Sequence, residues 1–140
     1  MNPNQTGAPN GHRAVLIADD GTTTPVTLPT SDAAPLAIAR HLGGPSVLER
    51  CTPTCTPDTH FATVGLLERP PAGAPRNDCA TVVVEMLRHA PLPSPIHGPA
   101  LIMGPAGDGD APTGLEPGQQ QAIQDFVAAW RTLLSRTPNR

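Results

Sequence analysis

Three cysteines and a histidine carry the sharpest chemistry in this chain. Cys51 and Cys55 form a Cys-x3-Cys pair, His60 follows shortly, and Cys79 lies further along. Three thiolates and one imidazole are a donor set for tetrahedral zinc, and Cys-x3-Cys falls within the spacing of a metal knuckle. Such a site would make the chain a zinc-stabilised binding module built on Cys51, Cys55, His60 and Cys79. A second compact ligand pair is missing, and Cys79 stands alone at the start of an expected helix. Free thiols in a loop and a helix start are the competing reading, and an odd cysteine count argues against a disulfide framework.

Cys79 also has the setting of a nucleophile, because a thiol at a helix N-terminus is acidified by the helix dipole. His60, His89 or His97 would then serve as the base of a cysteine-dependent enzyme. No local signature accompanies this arrangement, and a small buried residue is the preferred reading of Cys79. Asp19-Asp20 could chelate a hard cation, but Asp-Asp-Gly between two apolar runs is first a turn. Gly104, Gly107 and Gly109 have the look of a phosphate loop, yet Pro105, Asp108 and Asp110 oppose an anion and no Lys follows. His12 and His41 have no metal-ligand spacing, and the carboxylates are scattered. No catalytic set and no nucleotide cofactor emerge, so the sequence points away from an enzyme.

The elements that would position these residues are bounded by composition. A chain of 140 residues closes one domain. With 19 Pro, 13 Gly and only 2% aromatic residues, its core must come from Val, Leu, Ile and Ala. The nine cationic side chains are all Arg, a usage typical of a GC-rich genome such as an actinobacterium's. A formal charge of -3 and a pI near 5.9 argue against a duplex-DNA binder, which needs clustered cations. Arg131, Arg136 and Arg140 cluster at one end, where they suit the negative pole of a helix. No apolar run is long enough to be a transmembrane segment, and Met1-Asn2-Pro3-Asn4-Gln5 has no signal-peptide pattern, so a cytoplasmic location is expected.

Residues 1–12 read as a disordered leader. Ala14 to Ile17, the Asp19-Asp20-Gly21 turn and the Thr-rich run 22–28 read as a hairpin, with Pro25 confining its second strand to an edge or bulge. Ser31 or Asp32 can cap a helix with Pro35 in its first turn, a buried stripe of Leu36, Ile38, Ala39 and Leu42, and a stop at Gly43-Gly44. Strands are expected over 45–50 and 61–67, the latter with Gly65 as a bulge, joined by a Thr/Pro loop. Asp78 can cap a helix over about 79–89, despite the β-branched Val82, Val83 and Val84, and Pro91, Pro93 and Pro95 stop it. A buried strand over 100–103 and a flexible Gly/Pro/Asp loop over 105–118 follow. Finally, Ala122, Ile123, Phe126, Val127, Trp130, Leu133 and Leu134 mark an amphipathic helix over 119–136. If that helix packs loosely, Phe126, Trp130, Leu133 and Leu134 become a protein-binding surface.

Gly43-Gly44 before an apolar strand with Glu49, then Asn77 with Ala80, then Gly98-Pro99-Ala100 leading a strand, occur in an order that resembles a family of small domains of unknown function. That family is encoded on plasmids, phages and integrative elements of actinobacteria and other bacteria. The match spans 13–104, leaves the last helix outside, and departs from the family pattern at Pro99 and in the Cys/Pro-rich loop. The resemblance implies a mobile-element setting and no catalytic residues. The expected fold is α+β, a mainly antiparallel sheet of about four to five strands packed by two helices, with a C-terminal amphipathic helix. The expected function is that of a non-enzymatic accessory protein acting on a protein partner.

Overall fold

A computed structural model describes residues 11–30, 33–51, 62–105 and 113–136. Along the chain they form β1 (Gly11–Ile17), β2 (Thr23–Pro29), α1 (Ala34–Leu42), β3 (Ser46–Cys51), β4 (Ala62–Leu67), α2 (Asp78–Arg88), β5 (Ala100–Met103) and α3 (Pro117–Arg136). The strands make a single antiparallel sheet in the order β2-β1-β5-β4-β3, so the fold is α+β.

Alternation along the strands sends side chains to two cores. On one face Val15, Ile17, Val64 and Ile102 pack against Val83 and Val84 of α2 and Ile123 and Val127 of α3. On the other, Ala14, Leu28, Leu101 and Met103 pack beneath Ile38 and Leu42 of α1. The sheet is therefore covered on both faces, by α1 on one and by α2 with α3 on the other.

The hairpin forms where Asp-Gly requires it. Gly21 takes φ 89°, its N–H donates to the Ala18 carbonyl at 2.8 Å, and the Ala18 N–H donates to the Thr22 carbonyl at 2.8 Å. β2 is an edge strand, as Pro25 demands. β1 starts at Gly11 rather than Arg13, because Gly11 and His12 pair with Pro29 and Leu28. The rest of the expected leader lies outside the described residues.

Several local expectations are corrected. Helix α1 begins after Ala33, which makes no side-chain cap bond, and Ser31 and Asp32 lie outside the described residues. Its buried stripe is narrower than expected, since Leu36 is 57% exposed while Ile38 and Leu42 are buried. Gly65 is not a bulge: β4 pairs without interruption from Ser46↔Leu67 to Cys51↔Ala62. A Cβ there would stand 3.3 Å from Met103 Cε and 3.4 Å from Ile38 Cγ2, so the missing side chain lets α1 sit close to the sheet.

α2 is a helix despite its valines, because the buried stripe is made by them: Val83 and Val84 point into the core. The cap is Asn77, not Asp78; Asp78 is the first helical residue and pairs with Arg76 at 3.1 Å on the surface. The expected loop over 105–118 is partly fixed. Leu115 is buried and its N–H donates to the Arg13 carbonyl at 2.9 Å, while Gly104 and Thr113 close the segment with a 2.8 Å bond. α3 then starts at Pro117, where a missing N–H is harmless, and Gln120 Nε2 fastens it to the Ala14 carbonyl at 2.9 Å.

Candidate functional site

The described thiols are buried and apart. Cys51 ends β3 opposite Ala62 and is 1% exposed. Burial pushes its thiol up to about 11; the Arg88 charge opposes this and Glu49 adds to it. Cys79 is the second residue of α2, and its Sγ lies so close to the β1–β2 turn that a Cβ on Gly21 would stand 3.1 Å away. Its thiol is raised too, chiefly by burial, the opposite direction from a nucleophile acidified by the helix dipole. Cys51 lies in β3, three strand spacings or about 14 Å from β1, whose turn holds Cys79, so the fold does not bring the two together. Cys55 and His60 lie outside the described residues, among which no cluster of three or more His, Cys, Asp or Glu is placed to hold a metal.

Of the candidate bases, His89 and His97 are described. His89 terminates α2 in the left-handed conformation, about 15 Å along the axis from Cys79. His97 places Nδ1 2.9 Å from the Ala74 carbonyl. Asp20 accepts from the Thr22 hydroxyl and from the Thr22 N–H, bonds that lower its pKa and make Asp19-Asp20 a turn. Gly107 and Gly109 lie outside the described residues.

Asn77 is the polar centre of the motif that runs to Gly98. It is 1% exposed, and its Nδ2 donates to the carbonyls of Ile17 at 3.1 Å and Gly98 at 2.9 Å. Oδ1 accepts from the Ala80 N–H at 3.0 Å. Its backbone N–H donates to the Ile96 carbonyl at 2.8 Å, and Thr81 Oγ1 bridges the Asn77 carbonyl and the Ile96 N–H. One side chain thus joins the end of β1, the start of α2 and the approach to β5. Gly98, at φ 84°, turns its carbonyl into that arrangement.

This scaffold leaves an open cleft of about 540 Å³ between β3–β4, α2 and the proline-rich crossover. Glu85 accepts from the Leu92 N–H at 2.8 Å and pins the crossover to the helix. Val64, Leu66, Val84, Leu92 and Ile96 give the cleft apolar walls, and Glu49 and Arg88 add charge. Arg88 is half-buried, with no hydrogen bond or ion pair to any described residue. Sequence reasoning missed this site because its walls come from distant segments. One signal was present: Arg88 lies one turn beyond buried Val84, a cation on an apolar stripe.

The expected partner surface on α3 divides. Phe126 and Trp130 pack against the core, and Trp130 Nε1 is buried without a hydrogen-bond partner among the described residues. Leu133 and Leu134 continue the stripe and are 61% and 50% exposed. Among the described residues, no helix is long and apolar enough to cross a membrane. No protein-family model, curated protein or solved structure matches the chain.

Proposed function

We propose that this chain is a non-enzymatic accessory protein of a bacterial mobile element, serving transfer, maintenance or defence modulation through contact with another protein. The observation that carries this reading is the end of α3, where the apolar stripe anchored by Val127 and Trp130 continues into exposed Leu133 and Leu134. A helix that offers leucines beyond its own core suits a groove on a partner. The mobile-element setting rests on the order of the Gly43-Gly44, Asn77–Ala80 and Gly98-x-Ala100 motifs.

A photo-crosslinking residue placed at Leu133 tests the contact in cells that carry the element, with Leu36 on α1 as an equally exposed control. A discrete adduct at 133, with a protein of the element or of the host machinery it uses, is expected. Adducts that are the same at both positions would overturn the reading.

A further inference from the structure

We propose that the cleft between α2 and the β3–β4 pair binds a small amphipathic carboxylate, with Arg88 taking the carboxylate and the apolar walls taking the hydrocarbon. This site is separate from the α3 contact: α3 lies over β1 and β2, whereas the cleft lies over β3 and β4.

Arg88 sits on the buried stripe of α2, and no described carboxylate or carbonyl accepts from it. A half-buried guanidinium loses hydration, and its forked donors match a carboxylate in two parallel bonds. Val64, Leu66, Val84, Leu92 and Ile96 offer the hydrocarbon-lined remainder. The cleft volume of about 540 Å³ suits a small molecule. It is also preformed, since the Glu85–Leu92 and Thr81–Ile96 bonds and the prolines of the crossover hold its wall.

Charge selects the head group. Arg88 lines the cleft beside Glu49. Glu49 and Arg88 both act on the buried Cys51, yet they form no ion pair with each other. A monoanion on Arg88 neutralises that one cation. Glu49 is exposed and stays hydrated, which leaves the less hydrated Arg88 as the recognition group.

Amide chemical shifts of the full chain, followed during titration with decanoate, decanol and decylamine, test the site. Decanoate is expected to give saturable shifts centred on Val84, Leu92 and Ile96 and to bind more tightly than decanol. Arg88→Gln removes no bond to a described residue and should weaken decanoate about tenfold, as loss of a charged hydrogen-bond pair does, with decanol unchanged. Glu49→Gln should tighten decanoate. Non-saturable shifts, shifts centred on Leu133 and Leu134, a preference for decylamine, or an Arg88→Gln affinity within about twofold of the parent would each overturn the proposal.

Discussion

The side-chain amide of Asn77 donates to the Gly98 carbonyl at 2.9 Å, and through that bond the start of α2 is tied to the residue that turns the chain into β5. Because the same amide also reaches the Ile17 carbonyl, and Oδ1 caps α2, three elements depend on one buried side chain. Asn77→Ala strands two carbonyls and uncaps the helix, so urea denaturation should show a loss of about 3 kcal/mol or more. Asn77→Asp keeps the cap acceptor but sets a carboxylate against two carbonyl oxygens, which raises its folded-state pKa above the unfolded value of about 4. Protonation then favours the folded form, so the deficit relative to the parent should be smallest below about pH 4 and grow as pH rises through the raised pKa. A deficit that does not change with pH would contradict this placement of the two carbonyls.

Gly21 and Cys79 touch across the hairpin and α2. Gly21→Ala must accept φ 89° and bring a Cβ within 3.1 Å of Cys79 Sγ. A loss of about 1–2 kcal/mol is expected. Combining it with Cys79→Ala removes the steric part and leaves the backbone part, so a double-mutant cycle should return a favourable coupling of about 0.5–1 kcal/mol. Strict additivity would mean that the thiol does not press on the turn.

Cys51 gives the fold an alkaline limit. Its ordinary thiol pKa of 9.0 is raised to about 11 by burial, so the folded chain keeps a proton that the unfolded chain releases. This stabilisation is present below pH 9.0 and is lost as pH rises through about 11. Urea midpoints should therefore fall between these values, and Cys51→Ala, although less stable at neutral pH, should show a flatter decline. In native protein both Cys51 and Cys79 should react slowly with a disulfide reagent and become reactive in denaturant.

Gly65 permits the close seat of α1. The nearest atom to an added Cβ is the mobile Met103 Cε, so Gly65→Ala should cost only about 1 kcal/mol. Gly65→Val meets Ile38 and Leu42 as well and should release α1, seen as faster amide exchange at Ala39 to Leu42 while β5 stays protected.

Local chemistry was legible in the sequence where one residue decides it. Asp20-Gly21 specified the hairpin, Gly43 the end of α1, and the short apolar run after Pro99 the strand β5. Two adjacent candidates, Asn77 and Asp78, could each cap α2; only the packing of Asn77 against Ile17 and Gly98 chooses between them. Gly65 looked like a bulge because its reason is α1, which packs on it from far along the chain. Leu36, Leu133 and Leu134 had the right period for burial, yet all three are exposed. The cleft was least legible, since Arg88 and Glu49 come to line one cleft only after β3 and β4 have paired and α2 has docked.

The central pairing, Val15 against Ile102, joins the first strand to the last. The β1–β2 ribbon and the β3–β4 ribbon therefore wait as two separate pieces until β5 arrives between them. During synthesis the chain has most of its length made before its middle can exist, and its apolar faces remain open for that interval. Loop closure over such separations favours slow folding, so a chain interrupted shortly before Ala100 would be prey for chaperones and proteases rather than a shortened version of the same protein.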